Sequence, residues 1–359
     1  MSFFSNIFSR SKSYLGVDIG TTSIKIAELT RGGHNPTLSN YALLESVGHF
    51  ERATNVIQAN ALKISEKETV EMLKILLKKV KFSTTQTVAS IPAFASFVTL
   101  IEMPEMNEDE MGKTMGFLIK QNIPLPLADI AVDWIRVGRR EDESGFVKQQ
   151  VLVVAIPNET IERYRDIFKK AGLNLKALEV EMLAYSRSIV GSDQTPTIVA
   201  DIGARSTNIS VVDQGFLKNN NQIDYAGDNI TQSIVKGLGV SYRRGEDLKI
   251  QRGLSGGGGE YELSTLEFPF VDVIINEIRK IKDKSETESG IKLQRVLLIG
   301  GGSNLIGLDR YIEQQLGIPT MLGNSFLYVD APTQLLAVEK EIKTRFATAI
   351  GLAMKNFIS

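Results

Sequence analysis

Leu15-Gly16-Val17-Asp18-Ile19-Gly20-Thr21-Thr22-Ser23-Ile24-Lys25-Ile26-Ala27-Glu28 decides how the rest of the chain reads. The apolar run 15–19 predicts a buried strand. Residues 20–23 predict a tight turn, with glycine supplying a positive φ and hydroxyl residues capping it. Residues 24–29 alternate and predict the returning strand. The hairpin tip then offers backbone N–H groups, the hydroxyls of Thr21, Thr22 and Ser23, and the cation of Lys25. Such a nest suits a chain of phosphates. Asp18, at the strand end, suits Mg²⁺ held through water, because magnesium takes few carboxylates and keeps its waters. A single turn of this kind is common in ordinary hairpins, so the weight comes from recurrence.

The pattern recurs at Ile198-Val199-Ala200-Asp201-Ile202-Gly203-Ala204-Arg205-Ser206-Thr207-Asn208-Ile209-Ser210-Val211-Val212. A third glycine turn follows an apolar strand at Val296-Leu297-Leu298-Ile299-Gly300-Gly301-Gly302-Ser303-Asn304. Two phosphate hairpins and a Gly-Gly-x-Ser turn, in this order, resemble the actin-like ATPase superfamily. The resemblance implies an α/β fold of duplicated ribonuclease H-like domains facing each other across a cleft that holds ATP and Mg²⁺. Asp18 and Asp201 would flank the metal through water. Gly20, Thr21, Thr22, Ser23, Lys25, Gly203, Ala204, Ser206, Thr207 and Asn208 would line the phosphates. Gly300, Gly301, Gly302, Ser303 and Asn304 would pass close under the nucleoside.

Composition excludes several other classes. The chain has 359 residues, 43% of them hydrophobic, enough for more than one packed core. Its 41 basic residues balance 42 acidic ones, so there is no basic excess for a nucleic acid. Cysteine is absent, which removes disulfides and thiolate chemistry. The two histidines, His34 and His49, have no ligand-like spacing. No apolar run approaches the roughly 20 residues of a membrane helix. Residues 1–13 carry Phe3, Phe4, Ile7 and Phe8 but lack the apolar core and cleavage site of a secretory signal, so they read as a tail, with a short amphipathic segment touching a membrane as the alternative. A cytoplasmic protein is expected.

Between the hairpins, Ser65-Glu66-Lys67-Glu68 predicts a capping box opening a helix to about residue 81. Residues 93–157 predict a small strand–helix–strand–strand module. It contains Ile101-Glu102-Met103-Pro104 and Gln121-Asn122-Ile123-Pro124-Leu125-Pro126-Leu127, the prolines ending the helix. Both phrases resemble the PilM family, the actin-like proteins of type IV pilus assembly. In that family they belong to an extra subdomain labelled 1C, which FtsA also carries at this place. Asn158 predicts the cap of a helix over 159–171, and Glu181 opens a helix joining the halves. The MreB-like relatives place there a glutamate that orients the attacking water; a dipole-favoured helix-start glutamate reads equally well. Ala226-Gly227-Asp228-Asn229-Ile230-Thr231 and Gly245-Glu246-Asp247-Leu248-Lys249 resemble the superfamily's nucleoside turns. They would bring Gly227, Asp228, Glu246 and Lys249 to the ribose and base. Residues 255–260 are too glycine-dense for order of their own.

The resemblance divides the chain into a tail, 1–13; a first actin-like domain 1A, 14–92 and 158–197; the 1C subdomain, 93–157; a second domain 2A, 198–230 and 290–345; a 2B subdomain, 231–289; and a C-terminal helix, 346–359, packing back on 1A. It implies a cytoplasmic adaptor of the pilus inner-membrane platform, peripheral to the membrane through its partner. That partner would be the N-terminal peptide of PilN, bound in a groove between 1A and 1C, with other platform proteins nearby. Slow ATP hydrolysis and self-association are compatible with it. Two alternatives stay open: a filament-forming ATPase of FtsA or MreB type, and a sugar kinase, whose first phosphate motif residues 15–25 also resemble.

Overall fold

The structure, a computed structural model, describes residues 12–46, 65–141, 145–254, 261–333 and 338–357. The expected tail and the glycine-dense loop lie outside these, apart from residues 12 and 13. In chain order come β1 (Ser13–Ile19), β2 (Ser23–Thr30), β3 (Thr37–Glu45), α1 (Glu66–Lys79) and β4 (Gln86–Ile91). The module follows as β5 (Phe97–Pro104), α2 (Glu108–Asn122), β6 (Ile130–Glu141) and β7 (Val147–Pro157). Then come α3 (Asn158–Ala171), β8 (Asn174–Val180) and α4 (Glu181–Ile189). The second half has β9 (Thr197–Ile202), β10 (Thr207–Asp213), β11 (Phe216–Ile223), α5 (Gly227–Leu238), α6 (Tyr242–Arg252) and α7 (Tyr261–Ser289). It closes with β12 (Arg295–Ile299), α8 (Leu308–Leu316), β13 (Thr320–Leu322), α9 (Glu339–Arg345) and α10 (Ala347–Met354).

Two five-stranded sheets share one plan, β3-β2-β1-β4-β8 and β11-β10-β9-β12-β13. In each, a three-strand antiparallel meander is extended by two parallel strands. A parallel neighbour needs a crossover, and helices supply it. The third sheet, β5-β7-β6, is antiparallel. The apolar face of α2 (Met111, Met115, Ile119) packs on it through Ile101, Val151 and Val153. One apolar cluster runs through both halves, joining Leu15, Val17 and Ile24 to Val199, Val212 and Ile299 by way of Tyr185 on α4.

Glycines let α10 lie close on the first sheet. A Cβ on Gly16 would stand 1.9 Å from the carbonyl oxygen of Ala349, and one on Gly351 1.8 Å from that of Ala184. The helix thus sits between β1 and α4 with backbone against backbone.

Several local expectations change. Gly20 and Gly203 do not have positive φ; Gly203 is required by closeness, since a Cβ there would meet the Ser206 carbonyl oxygen at 2.9 Å. Asn158 does not cap α3: Pro157 precedes the helix, and the Asn158 amide donates to the Ala128 carbonyl at 3.1 Å. The helix that residues 270–284 predict by sequence starts nine residues earlier, at Tyr261, and runs through Pro269 to Ser289. At α1, Ser65 Oγ accepts from the Glu68 N–H at 3.3 Å, while the Glu68 carboxylate accepts from Ser46.

Candidate functional site

The two hairpins converge at their turns. Gly20 N–H donates to the Ser23 carbonyl at 2.9 Å, and Gly203 N–H donates to the Ser206 carbonyl at 3.0 Å. The registers also match, with Asp18 opposite Lys25 and Asp201 opposite Asn208. Thr22 and Ser23 are buried, whereas Thr21 and Ser206 are partly open. Lys25 pairs with Asp18 at 2.9 Å. Ser90, from β4, donates to the other Asp18 oxygen at 3.0 Å and accepts the Ile19 N–H at 3.2 Å. Sequence reasoning missed Ser90, whose role depends on β4 lying beside β1.

Glu181 stands where the halves meet. One of its carboxylate oxygens accepts from Asn208 Nδ2 at 2.6 Å and from the Ala93 N–H at 3.1 Å. Burial, reinforced by the charges of Asp201 and Asp18, pushes its carboxyl up to about 8. Burial likewise raises Asp201 to about 6, Lys25 opposing and Asp18 adding to the shift. Three acidic groups therefore feel one another across the cleft, with Lys25 as the cation that bears on Asp201. Asn208 Oδ1 is buried without a hydrogen-bond partner. Among the described residues no three such side chains close on a point where they would cage a metal directly.

The remaining expected residues gather on the second hairpin. Gly227 N–H donates to the Gly203 carbonyl at 3.2 Å and Asp228 N–H to the Ala204 carbonyl at 2.7 Å. Lys249 is buried, donating to Gly227 O at 3.1 Å and Thr231 Oγ1 at 2.9 Å, and pairing with Glu246 at 2.8 Å. Tyr242 donates to Asp228 at 2.7 Å. Gly300 needs its glycine twice over: φ is +84°, and a Cβ would lie 2.4 Å from both Asp201 Oδ1 and Ile202 O. The side chains expected under a nucleoside are partly engaged in bracing this turn. Ser303 donates to Gly300 O at 2.7 Å, and the Asn304 amide donates to Thr344 Oγ1 at 3.0 Å. The N–H of Leu254, just past α6, donates to Ile306 O at 2.8 Å, closing the rim.

Arg345 was not foreseen. Its guanidinium pairs with Glu45 of the first half and with Glu341 at 2.7 Å, beside Gly301, and its Nε is buried without a partner. Next to Glu181, a cavity of about 450 Å³ opens between Ala93, Phe94, Phe97 and Met182 on one side and Asn220 and Gln222 on the other.

Comparison with known proteins bears on the fold and the family. The cell division protein FtsA of Enterococcus faecalis is 24% identical over 280 residues, 74% of this chain and 63% of its own length. The chain thus spans less than two thirds of that relative. A solved PilM–PilN type IV pilus biogenesis complex superposes over 98% of this chain and 100% of its own, at 20% identity and a TM-score of 0.80. MreB5 of Spiroplasma citri, solved bound to AMPPNP, superposes over 96% of this chain and 95% of its own, with a TM-score of 0.53 at 11% identity. The fold is therefore the actin-like ATPase fold with its duplicated halves. Residues 16–357, both hairpins and the inserted module included, match the profile described as Type IV pilus assembly protein PilM, and the chain belongs to that family.

Proposed function

We propose that this chain is an ATP-binding adaptor of the pilus inner-membrane platform that binds the N-terminal cytoplasmic peptide of PilN. The observation that carries the nucleotide half is the pair of matched hairpin turns facing one carboxylate-rich cleft. Asp18 and Asp201 would hold Mg²⁺ through its waters, Lys25 would balance phosphate charge, and the Gly227 and Gly300 turns would take the nucleoside. When bound, Mg²⁺ would neutralise the β- and γ-phosphate oxygens. Glu181, deprotonated, would orient a water through one oxygen while Asn208 and Ala93 hold the other. Asn208 Oδ1, buried and unpartnered, is an acceptor in reserve for a bound water.

The partner half rests on the inserted module and on the family. The division into 1A, 1C, 2A and 2B given above is part of this reading. The cavity at the root of the module touches 1A through Met182 and has β11 of the second half as its other wall, so it supports one end of a 1A–1C groove for an extended peptide rather than its whole length. An extended segment suits such a site, because its backbone meets strand edges while alternate side chains fill pockets. Among the described residues no helix is long and apolar enough to cross a membrane. Attachment to the membrane would come through the partner.

The test is titration of the purified protein with a PilN tail peptide, with and without ATP–Mg²⁺. Saturable binding whose affinity changes with nucleotide is the expected result, and Asp18→Ala should remove the nucleotide effect. ATP binding without any peptide binding would sink the adaptor reading and favour a filament, which pelleting with ATP detects.

A further inference from the structure

We propose that Lys218 is a latch that makes the three-stranded module follow the second half, so that closure of the cleft on nucleotide reaches the module. The proposal rests on the reading of the cleft as a nucleotide site.

Lys218 lies on β11, the edge strand of the second sheet. Its ammonium leaves that sheet and donates to Val137 O at 2.5 Å and to Gln150 Oε1 at 2.8 Å. The Gln150 amide in turn donates to Glu102 at 3.0 Å. One side chain of the second half is thereby joined to β6 and β7 directly and to β5 through Gln150. A long lysine side chain loses much rotamer freedom when fixed this way, so the contact is not a casual one. Burial lowers its pKa, with the charges of Asp213 and Glu102 opposing that shift.

The module is shaped to receive it. The β6–β7 register slips between Arg136 and Gly138, leaving Val137 as the extra residue of a bulge. A bulge takes its residue out of the strand ladder and frees it for other partners. Gly138 has φ +152°, and a Cβ there would stand 2.5 Å from the Lys218 ammonium. The backbone conformation disfavours a side chain at this position, and a Cβ there would displace the Lys218 ammonium.

The module is tied to the first half at a different point. Its root, Ala93, donates its N–H to Glu181, which opens α4 beneath the first sheet. Asn208 holds the same Glu181 oxygen from β10, and β10 pairs with β11 at Asn208–Gln222. A strand pair therefore runs from the cleft carboxylate to the latch. Any rotation of one half against the other must move the Lys218 attachment relative to the Ala93 attachment. The module cannot ride on the first half alone.

Hydrogen–deuterium exchange on the full chain, with and without ATP–Mg²⁺, tests this. In the unsubstituted protein, amides of 136–141 and 147–150 should change protection when ATP binds. Lys218→Met should make those amides exchange about tenfold faster without nucleotide, as loss of a charged hydrogen bond implies. It should also abolish their response to ATP, and by linkage shift ATP affinity by no more than the factor by which ATP changes that protection. Gly138→Ala, acting from the module side, should give the same pattern and serves if Lys218→Met does not fold. ATP binding with no change at 136–150 overturns the latch and leaves the nucleotide reading standing. A response that survives in both variants also overturns it. Failure of the unsubstituted protein to bind ATP overturns the nucleotide reading, and the latch with it.

Discussion

Glu181 carries a cost that only a ligand or its own protonation relieves. Its carboxyl sits at about 8 against an ordinary 4.5, raised by burial and by the charges of Asp201 and Asp18. The folded state therefore holds this proton more tightly than the unfolded chain does. Stability is lost as pH rises from about 4.5 through 8. Glu181→Gln keeps an oxygen for Asn208 and Ala93 but removes the charge. In the ligand-free protein it should raise stability above pH 8 by roughly 2–3 kcal/mol, after discounting for cleft water, and by almost nothing at pH 5. Denaturant melts at the two pH values measure this; an equal effect at both would show that the carboxyl is not under the cleft's field. The same variant should lose ATP turnover while retaining ATP binding. The sequence marked Asp18, Lys25, Asp201 and Glu181 because each lies in or beside a turn or helix start with a recognisable spelling. It could not mark Ser90 or Arg345. Their roles depend on which strand lies beside β1 and on how α9 returns to the Gly300 turn, and both facts belong to the tertiary structure.

At the scale of elements, α4 and α10 are held together by a buried charge cluster. Glu179, its side chain 1% exposed, meets Arg187 at 2.7 Å and Lys355 at 2.7 Å, and Arg187 also donates to Gly351 O at 2.7 Å. Burial alone would raise the Glu179 carboxyl, but the two cations more than reverse this and hold it at about 2. A depressed carboxyl contributes stability that is present above about 4.5 and fades as pH falls toward 2. Arg187→Met leaves a buried charge short of a partner and should cost about 3–5 kcal/mol at pH 7. The loss should shrink at pH 4, where protonating Glu179 relieves the variant; a loss of the same size at both would remove the ion pair as its cause. Periodicity made these helices and most strands legible, because buried faces repeat every two or 3.6 residues. Ends were less legible. The helix after Pro157 needed no Asn158 cap once proline had set the entry angle, and the Asn158 side chain went instead to Ala128. The β6 bulge was invisible, since the residues after Val137 are a glycine and three charged side chains, which carry no apolar alternation for the slip to invert.

For the whole molecule, the shared core decides how ligand energy is spread. Val199, Val212, Leu297 and Ile299 of the second sheet belong to the same buried cluster as Leu15, Val17 and Ile24 of the first, with Tyr185 and Ile189 of α4 between them. The Tyr185 hydroxyl is bonded to Ser210 at 2.6 Å, so the junction is polar-satisfied as well as packed. Halves joined this way should unfold together rather than in turn, despite the usual independence of domains this size. A nucleotide bound between them then stabilises everything at once. At a thousandfold excess over its Kd, ATP–Mg²⁺ should add about 4 kcal/mol to a single transition. Differential scanning calorimetry reads this directly. One peak moving as a unit with ATP is expected, and Asp18→Ala should hold it still. Two peaks, of which only one responds to ATP, would mean that the nucleotide grips a single half and that cleft closure is not how its binding energy is used. The Lys218 attachment would in that case have no rotation to transmit.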